Sequence, residues 1–352
     1  MLLDVAPWVW LVVEKLALIV VVVLATLGIA MYATFAERKV AAILQDRRGP
    51  NRAGPFGILQ PLADGVKLFF KEEIIPNFSN RFLFILGPAL AMLTAIMTGA
   101  VVPWGDHVHF FGRDISLQIA DVNVGILYVF AVVSLGVYGI MIGSWASNNK
   151  YSLMGGLRAA SQIISYELAM GISLIALLMV TGTLSLKEMV VQQQHGMWNI
   201  VYQPLGFLIF LICAFAECNR TPFDLAEAEN ELIGGYHTEY SSMKLGFYLF
   251  AEYVNMFISS VMMATLFFGG YDMPFVDEST LSANWAAVVG IIALGAKFGF
   301  FLFFFMWVRW TIPRFRYDQL MNLGWRILIP LALVNMLVTG GLVLLKNNGW
   351  HF

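Results

Sequence analysis

The sequence predicts an all-α polytopic membrane protein with about eight transmembrane helices, an interfacial amphipathic helix and helical cytoplasmic loops. Of its 352 residues, 59% are apolar and only 12% are charged, a charged fraction about half that of soluble domains. A soluble fold needs a polar surface that this composition cannot supply. The apolar residues form continuous runs and do not alternate with polar ones, so we expect the spanning elements to be helices and not barrel strands.

Eight apolar runs approach the length of about 20 residues that crosses a bilayer, and we expect them to form one integral membrane domain over residues 1–352. They cover residues 9–35, 82–102, 122–144, 162–181, 204–218, 246–268, 285–308 and 326–345. The first run is long enough to tilt or to project beyond the membrane. The fifth is short, because polar residues begin at Glu217.

Lysine and arginine in the connecting loops predict the orientation of the chain. The loops after the first, third, fifth and seventh runs hold sixteen of these cations, and the other loops hold three. Cytoplasmic loops carry such an excess of positive charge. We therefore expect both termini on the outer side and the following segments in the cytoplasm: roughly 36–81, 145–161, 219–245 and 309–325.

The first cytoplasmic loop contains a predicted amphipathic helix. Apolar residues recur at helical spacing between residues 58 and 70, while Asp64 and two lysines occupy another face. One interpretation is an anchor at the membrane surface. A second interpretation is a binding site for an amphiphile, because positive charge lies beside apolar surface. Arg38, Lys39 and Asp64 would then face its polar head group.

The third cytoplasmic loop is acidic. Segment 216–245 contains two cations and six acids. The acids are Glu217, Asp224, Glu227, Glu229, Glu231 and Glu239. A Thr-Pro pair and a Gly-Gly pair predict a helix between residues 221 and 235, on which Asp224, Glu227 and Glu231 share one face. Neighbouring carboxylates raise one another's pKa and share protons, as a relay requires. The alternative is a solvated acidic helix, which the flanking membrane spans make less favourable.

Three ionisable residues fall inside predicted spans: Glu167, Glu252 and Lys297. Such groups are costly in a membrane and often belong to ion paths, although the two glutamates could also lie near the interface, or Glu252 could pair with Lys297. No histidine lies in a span, and the chain has only two cysteines and no phosphate-binding glycine motif. We therefore expect no haem, iron–sulfur cluster, metal or nucleotide on this chain, and the net charge of −2 gives no signal for nucleic acid.

Four long motifs resemble those of one family, the membrane-embedded H subunit of NADH-quinone oxidoreductase (respiratory complex I), also called the NuoH family. They are "ERKVAAILQDRRGPNRAGPFGILQPLADGVKLFFKEE", "SNNKYSLMGGLRAASQIISYE", "RTPFDLAEAENELIGGYHTEYSSMKLGFYLFAEY" and "RWTIPRFRYDQLMNLGWRILIP". Their order matches that of the family's cytoplasmic loops, and the resemblance covers residues 10–345. It implies a bacterial plasma-membrane subunit that docks the hydrophilic arm of the complex and forms much of the quinone chamber.

The resemblance also assigns roles to residues. It places Arg38, Lys39, Asp64 and the Arg47-Arg48 turn near the quinone chamber or the docking surface. It implies a carboxylate-lined proton path through Glu167, Glu217, Asp224, Glu227, Glu229, Glu231, Glu239 and Glu252. Some members of the family carry another acid in the third span, where this chain has none after Asp121 and Ser134 stands instead.

The same resemblance implies substrate and partners. Quinone is the expected substrate, while FMN and iron–sulfur clusters are expected in partner subunits, namely the hydrophilic quinone-module subunits and neighbouring small membrane subunits. The chain itself would perform no covalent catalysis. One alternative is the homologous subunit of an energy-converting hydrogenase or formate-linked complex, which works without quinone. A stand-alone transporter or a passive anchor is a second alternative, but the sequence has neither the internal repeats of many transporters nor the scarcity of membrane-depth acids expected of an anchor.

Overall fold

A computed structural model describes residues 7–110, 113–273 and 282–348 and confirms the all-α membrane fold. Within them, seven helices are long and apolar enough to cross a bilayer, and an eighth apolar helix is shorter. The helices are α1 (Pro7–Leu44), α2 (Gln60–Phe70), α3 (Arg81–Thr98), α4 (Gly125–Ala146), α5 (Lys150–Thr181), α6 (Leu186–His195), α7 (Asn199–Tyr202), α8 (Pro204–Glu217), α9 (Glu229–Leu232), α10 (Ser242–Phe267), α11 (Ala283–Thr311), α12 (Tyr317–Asn322) and α13 (Ile329–Asn347). Two antiparallel strands, β1 (His107–Phe110) and β2 (Arg113–Ser116), have no counterpart among the predicted elements.

Contacts between loops define the two ends of the bundle. At one end, which we call the acidic-loop end, Arg309 at the end of α11 bonds Glu37 of α1 at 2.5 Å, and the following Arg314 pairs with Asp224 of the acidic loop. At the other, the hairpin end, Lys15 near the start of α1 donates to the carbonyl of Gln118 at 2.9 Å. The predicted cytoplasmic loops after the first, fifth and seventh spans therefore meet at one end.

Two helices are longer than the bilayer is thick. At 1.5 Å per residue, the 38 residues of α1 span roughly 57 Å and the 32 residues of α5 span roughly 48 Å, against about 30 Å of hydrocarbon. The helix α5 begins at Lys150 because Asn149 caps it, accepting a hydrogen bond from the backbone N–H of Tyr151 at 2.9 Å. Much of the segment predicted as the loop 145–161 is thus helix, and α1 and α5 carry polar residues past the apolar layer.

The helix α8 is shorter than the bilayer. Its 14 residues span roughly 21 Å, so it cannot cross about 30 Å of hydrocarbon alone. The predicted fifth span at 204–218 thus corresponds to a helix at the same place in the chain that is shorter than the hydrocarbon layer. Its C-terminal residue, Glu217, lies at the start of the acidic loop, and its first turn lies at the hairpin end.

Small residues allow α3 and α4 to pack with their backbones close together. A Cβ atom added at Gly139 would lie 2.8 Å from the backbone N of Ala91 and 2.9 Å from the carbonyl oxygen of Gly87. Membrane helices commonly approach through such small residues. The hydroxyl of Tyr248 on α10 donates to the Gly139 carbonyl at 3.0 Å, which joins the helix pair to α10.

We predict that Gly139→Ala separates α3 from α4 and lowers stability by about 1–3 kcal/mol, because the new methyl group meets backbone atoms that cannot rotate away. The measurement is thermal denaturation of the detergent-solubilised protein. Gly171→Ala on α5 is the matched control, since nothing lies within 4 Å of its added Cβ. An equal midpoint for both variants would contradict close packing at Gly139.

Candidate functional site

The acidic loop does not form the predicted helix between residues 221 and 235. Between residues 221 and 235 only the single turn α9 is α-helical, and Ala228 and Ile233, on either side of it, have φ of 31° and 68°. The apolar side chains of Phe223 and Leu225 are buried in the protein core. In a helix, residues 223 and 225 would point to different faces, so one helix could not bury both side chains in the core. The loop therefore forms a series of turns.

Arg220, at the start of this loop, lies at the centre of a buried ionic network. Its guanidinium is only 5% exposed and stacks over the ring of Tyr253 at 4.2 Å from the ring centroid. Its Nη2 lies 3.4 Å from Glu252 and its Nη1 lies 4.0 Å from Glu37. A buried cation of this kind requires partners of opposite charge, and here they come from α10 and α1.

Each carboxylate beside Arg220 has a second partner. Glu37 accepts from Arg309 at 2.5 Å and from the hydroxyl of Tyr253 at 3.0 Å, while Glu252 accepts from the hydroxyl of Tyr236 at 2.9 Å. The network therefore joins α1, the acidic loop, α10 and α11. We call these residues the Arg220 network: Glu37, Arg220, Tyr236, Glu252, Tyr253 and Arg309.

Two acids of the loop have opposite pKa shifts. Burial, followed by the charge of Glu227, raises the pKa of Asp224 to about 7, against the nearby guanidinium of Arg314 at 3.5 Å. Burial acts to raise the pKa of Glu227 as well, but the hydrogen bond and charge of His237 outweigh it and hold that pKa below its ordinary value. The Nε2 of His237 lies 3.3 Å from Glu227. Neighbouring acids with divergent pKa values are typical of proton-transfer sites.

The other acids of the loop point in separate directions. Glu231 pairs with Arg158 on α5 at 2.5 Å, and Glu239 accepts from the side chain of Asn149 at 2.6 Å. The predicted shared face of Asp224, Glu227 and Glu231 is wrong, because each of the three has a different partner on a different element. The side chain of Glu229 lies outside the described part of the chain.

Glu217 links the Arg220 network to the membrane interior. It lines a cavity of about 40 Å³ together with Glu252, Tyr236 and Tyr248. It also lines a second cavity of about 30 Å³ between α4, α5, α8 and α10. Each volume exceeds the 10–15 Å³ that one water molecule needs, so both cavities have room for hydrogen-bonded water beside the carboxylate.

Glu217 also lies near enough to Glu167 on α5 for the two carboxyl groups to interact electrostatically. Glu167 in turn lies within hydrogen-bond distance of the hydroxyl of Ser134 on α4, whose single proton is shared between Glu167 and the carbonyl of Phe130 at 2.8 Å. Titratable groups thus continue from the Arg220 network to the α4–α5 face.

The residues predicted near a head group differ in whether they contact another helix. Arg38 on α1 bonds Asp64 on α2 at 2.6 Å, so the structure brings these two together. Lys39 lies over the ring of Phe35 on its own helix. Arg47 bonds its neighbour Gln45, and both it and Arg48 are exposed in the turn after α1. Only Arg38 and Asp64 therefore form a contact between helices.

Sequence reasoning missed several members of the site. Glu37 was hidden by its place in a basic motif, although the continuation of α1 to Leu44 places it on a buried face. Arg220 was counted as a loop cation. The proposed pairing of Glu252 with Lys297 is not what the structure has: Glu252 pairs with Arg220, whereas Lys297 donates to the carbonyls of Gly270 and Asp272. These carbonyls lie past the end of α10, and that end is fifteen residues, or roughly 22 Å along the helix axis, from Glu252.

The described residues include no cluster of three or more histidine, cysteine or acidic side chains that would suit a metal ion. The neighbouring carboxyl groups of this arrangement suit proton storage and transfer, and the buried Arg220 compensates their charge.

Comparisons with known proteins find similar sequences along most of the chain. The profile of the NADH dehydrogenase family matches residues 16–340. The chain is 64% identical over 332 residues to an H subunit (number 1) of the NADH-quinone oxidoreductase of Cytophaga hutchinsonii, covering 94% of this chain and 97% of that one. It is 67% identical over 336 residues to the H subunit of the Flavobacterium johnsoniae enzyme (95% and 96% covered) and 49% identical over 332 residues to an H subunit (number 1) of the Geobacter metallireducens enzyme (94% and 96% covered).

We predict that Arg220→Gln destabilises the protein by about 3–5 kcal/mol, because Glu37 and Glu252 would lose their shared buried cation. Thermal denaturation in detergent measures the effect. The control is Arg316→Gln, which removes an exposed arginine that bonds an aspartate at the same end and should leave the midpoint unchanged. Unaltered stability of the Arg220 variant would contradict the central place of this residue.

Proposed function

This chain belongs to the H-subunit family of NADH-quinone oxidoreductase, and we propose that within that enzyme complex it forms much of the quinone chamber and couples quinone reduction to proton translocation. The observation that carries the proposal is a series of neighbouring titratable groups, from the Arg220 network through the partly buried Glu217 to the partly buried Glu167. The chain supplies binding surface and proton sites, whereas electron transfer belongs to the complex as a whole.

The quinone side of the proposal rests on the packing of α1, α2 and α10. The hydroxyl of Ser242 at the start of α10 donates to the carbonyl of Leu68 on α2 at 3.2 Å, and Arg38 of α1 bonds Asp64 of α2. The three helices thus enclose a corner at the acidic-loop end. Val66 and Phe69 expose apolar surface on α2, which suits access for an isoprenoid tail from the bilayer, and Arg38 and Asp64 offer polar contacts to the head.

The coupling side rests on the low dielectric around the acids. A change of charge at the quinone head is weakly screened there, so it alters the protonation of Asp224 and Glu227, whose pKa values diverge. Arg220 sits next in line and holds both Glu37 and Glu252. A proton gained or lost at Glu252 then changes the electrostatic balance at Glu217, with which it shares a cavity.

Glu217 and Glu167 extend this response toward neighbouring membrane subunits. Ser134 on α4 is hydrogen-bonded to Glu167 and continues the line with a hydroxyl group. The acids Glu229, Glu231 and Glu239 belong to the same proposed path; of these, Glu231 is exposed and Glu239 is partly exposed. We infer that α4 and α5 face the small membrane subunits and that the basic loops dock the hydrophilic subunits, which hold FMN and iron–sulfur clusters.

We place the chain in the bacterial plasma (inner) membrane with both termini on the periplasmic side, because the lysine and arginine excess lies at the acidic-loop end. The relatives from Cytophaga, Flavobacterium and Geobacter are all bacterial, and all are named as H subunits of NADH-quinone oxidoreductase. Those names favour the quinone-linked complex over the hydrogenase-linked or formate-linked alternative. Oxidation of NADH with quinone by the purified complex, without hydrogen evolution, tests that choice.

We predict that Glu217→Gln lowers proton-coupled quinone reduction by roughly tenfold to a hundredfold, because an amide cannot carry a proton between the two cavities. Proton uptake and NADH:quinone turnover are measured in proteoliposomes containing the whole complex. NADH oxidation with a water-soluble artificial acceptor reports assembly.

Glu188→Gln is the matched control for Glu217→Gln, since Glu188 bonds Thr183 at the hairpin end, away from the line of acids. It should keep full coupled activity. Full proton translocation by the Glu217 variant would remove Glu217 from the proposed path.

We predict that Arg38→Ala raises the apparent KM for quinone by about tenfold, the effect of losing one charge-assisted hydrogen bond, while artificial-acceptor activity is preserved. Steady-state kinetics with a water-soluble quinone measure it. Arg316→Ala, at an exposed arginine of the same end, should leave the KM unchanged. An unchanged KM in the Arg38 variant would place the chamber elsewhere.

A further inference from the structure

A wide groove opens at the hairpin end, far from the acidic loop. Its volume is about 700 Å³, which is within the 300–1,000 Å³ typical of ligand pockets. The walls are the last turns of α5 and α13, and α6 and α7 close the side. We call it the hairpin-end groove, and its lining includes Met179, Tyr202, Gln203, Thr339, Leu342 and Lys346.

The short helix α8 explains why the groove exists. The first turn of α8 is tied to α13 by Gln203, whose amide donates to the hydroxyl of Thr339 at 2.8 Å. From Thr339, α13 continues seven residues to Lys346, roughly 10 Å along its axis. The neighbouring helices therefore rise above the start of α8 and leave a depression between them.

The floor of the groove is preformed and polar. Gln203 also accepts from Asn335 at 3.0 Å, and the buried Gln193 accepts from the backbone N–H of Asn199 at 3.1 Å. Gln193 and Asn199 are both less than 5% exposed. Because these side chains are already hydrogen-bonded to one another and to the backbone, the floor needs no rearrangement to receive a ligand.

The walls of the groove are apolar and accessible. Met179, Met197 and Leu342 are 41%, 63% and 52% exposed while lining it. A water-filled cleft gains nothing from such walls, whereas a hydrocarbon chain covers them favourably. A polar floor, apolar walls and a cationic rim together match an amphiphile.

Lys346 supplies the charge at the rim. Its ammonium has no acidic partner among residues 7–110, 113–273 and 282–348. It stands in the last turn of α13, at the level where a lysine reaches the head-group layer. Tyr202 lines the same groove and offers a hydroxyl. Basic pockets between membrane helices recognise anionic lipid head groups in this way.

We propose that the hairpin-end groove binds one phospholipid with an anionic head group. Its phosphodiester lies at Lys346 and Tyr202, and an acyl chain lies against Met179 and Leu342. This lipid fills the space that the short α8 leaves and holds the ends of α5 and α13 together. The site is separate from the proposed quinone chamber, which lies at the opposite end of the bundle.

The test uses the whole purified complex, exchanged into phosphatidylcholine nanodiscs and titrated with phosphatidylglycerol. Wild type should retain one tightly held phosphatidylglycerol in native mass spectrometry. Lys346→Glu should weaken retention by about tenfold or more, since it removes a charge-assisted contact, and Lys346→Arg should restore it. Val343→Trp, which fills the groove from α13, should also abolish retention.

Lys187→Glu is the matched control, because Lys187 is a cation of α6 at the same end but does not line the groove. It should bind phosphatidylglycerol as wild type does. Equal retention by the wild type, Lys346→Glu and Val343→Trp would overturn the proposal. Displacement of the lipid by millimolar inorganic phosphate would show a simple anion site, and a photoreactive residue at position 197 that cross-links to a partner protein and not to lipid would show a protein interface; either result overturns it.

Discussion

Arg220 is always positively charged, and only 5% of its surface is exposed. An unpaired charge at such a buried position would be strongly destabilising. Its burial dictates what surrounds it: Glu37 from α1, Glu252 from α10 and the ring of Tyr253. Those acids in turn need Arg309 and Tyr236. One charge thus fixes the relative positions of α1, α10, α11 and the acidic loop, and the same fixed contacts place several titratable groups within reach of one another.

The network is built for responsiveness as well as for cohesion. Asp224 has a pKa raised to about 7 by burial and by Glu227, so its charge changes near neutral pH. Because this folded-state pKa lies above the ordinary value for an aspartate, burial of Asp224 costs stability increasingly as pH rises from about 4 to about 7. Glu227, held ionised by His237, opposes it. A pair of acids with such divergent pKa values is suited to passing a proton when the charge nearby changes, as the proposed function requires.

The sequence was sufficient for the spans and for the identity of most acids, because hydrophobic run length and charge scarcity are direct consequences of the bilayer. It was insufficient for the acidic loop. A Thr-Pro start and a Gly-Gly end are typical of helices, but burial of Phe223 and Leu225 outweighed that local preference. Glu37 was missed for a related reason: a charge pattern read along the chain cannot reveal that Arg309, 272 residues away, supplies its partner. The β-hairpin was missed because a few residues between two spans carry little periodic signal.

The short length of α8 connects the two ends of the molecule. A helix of 14 residues cannot fill the height of the bilayer, and its position is fixed at one end by Gln203 on Thr339. Its C-terminus therefore stops at Glu217, which lines two small cavities, one of them shared with Glu252. A longer helix would carry its last residue away from these cavities. The same shortness leaves an open groove at the other end, so the place of Glu217 in the proposed proton path and the space for the proposed lipid both follow from a single helix length.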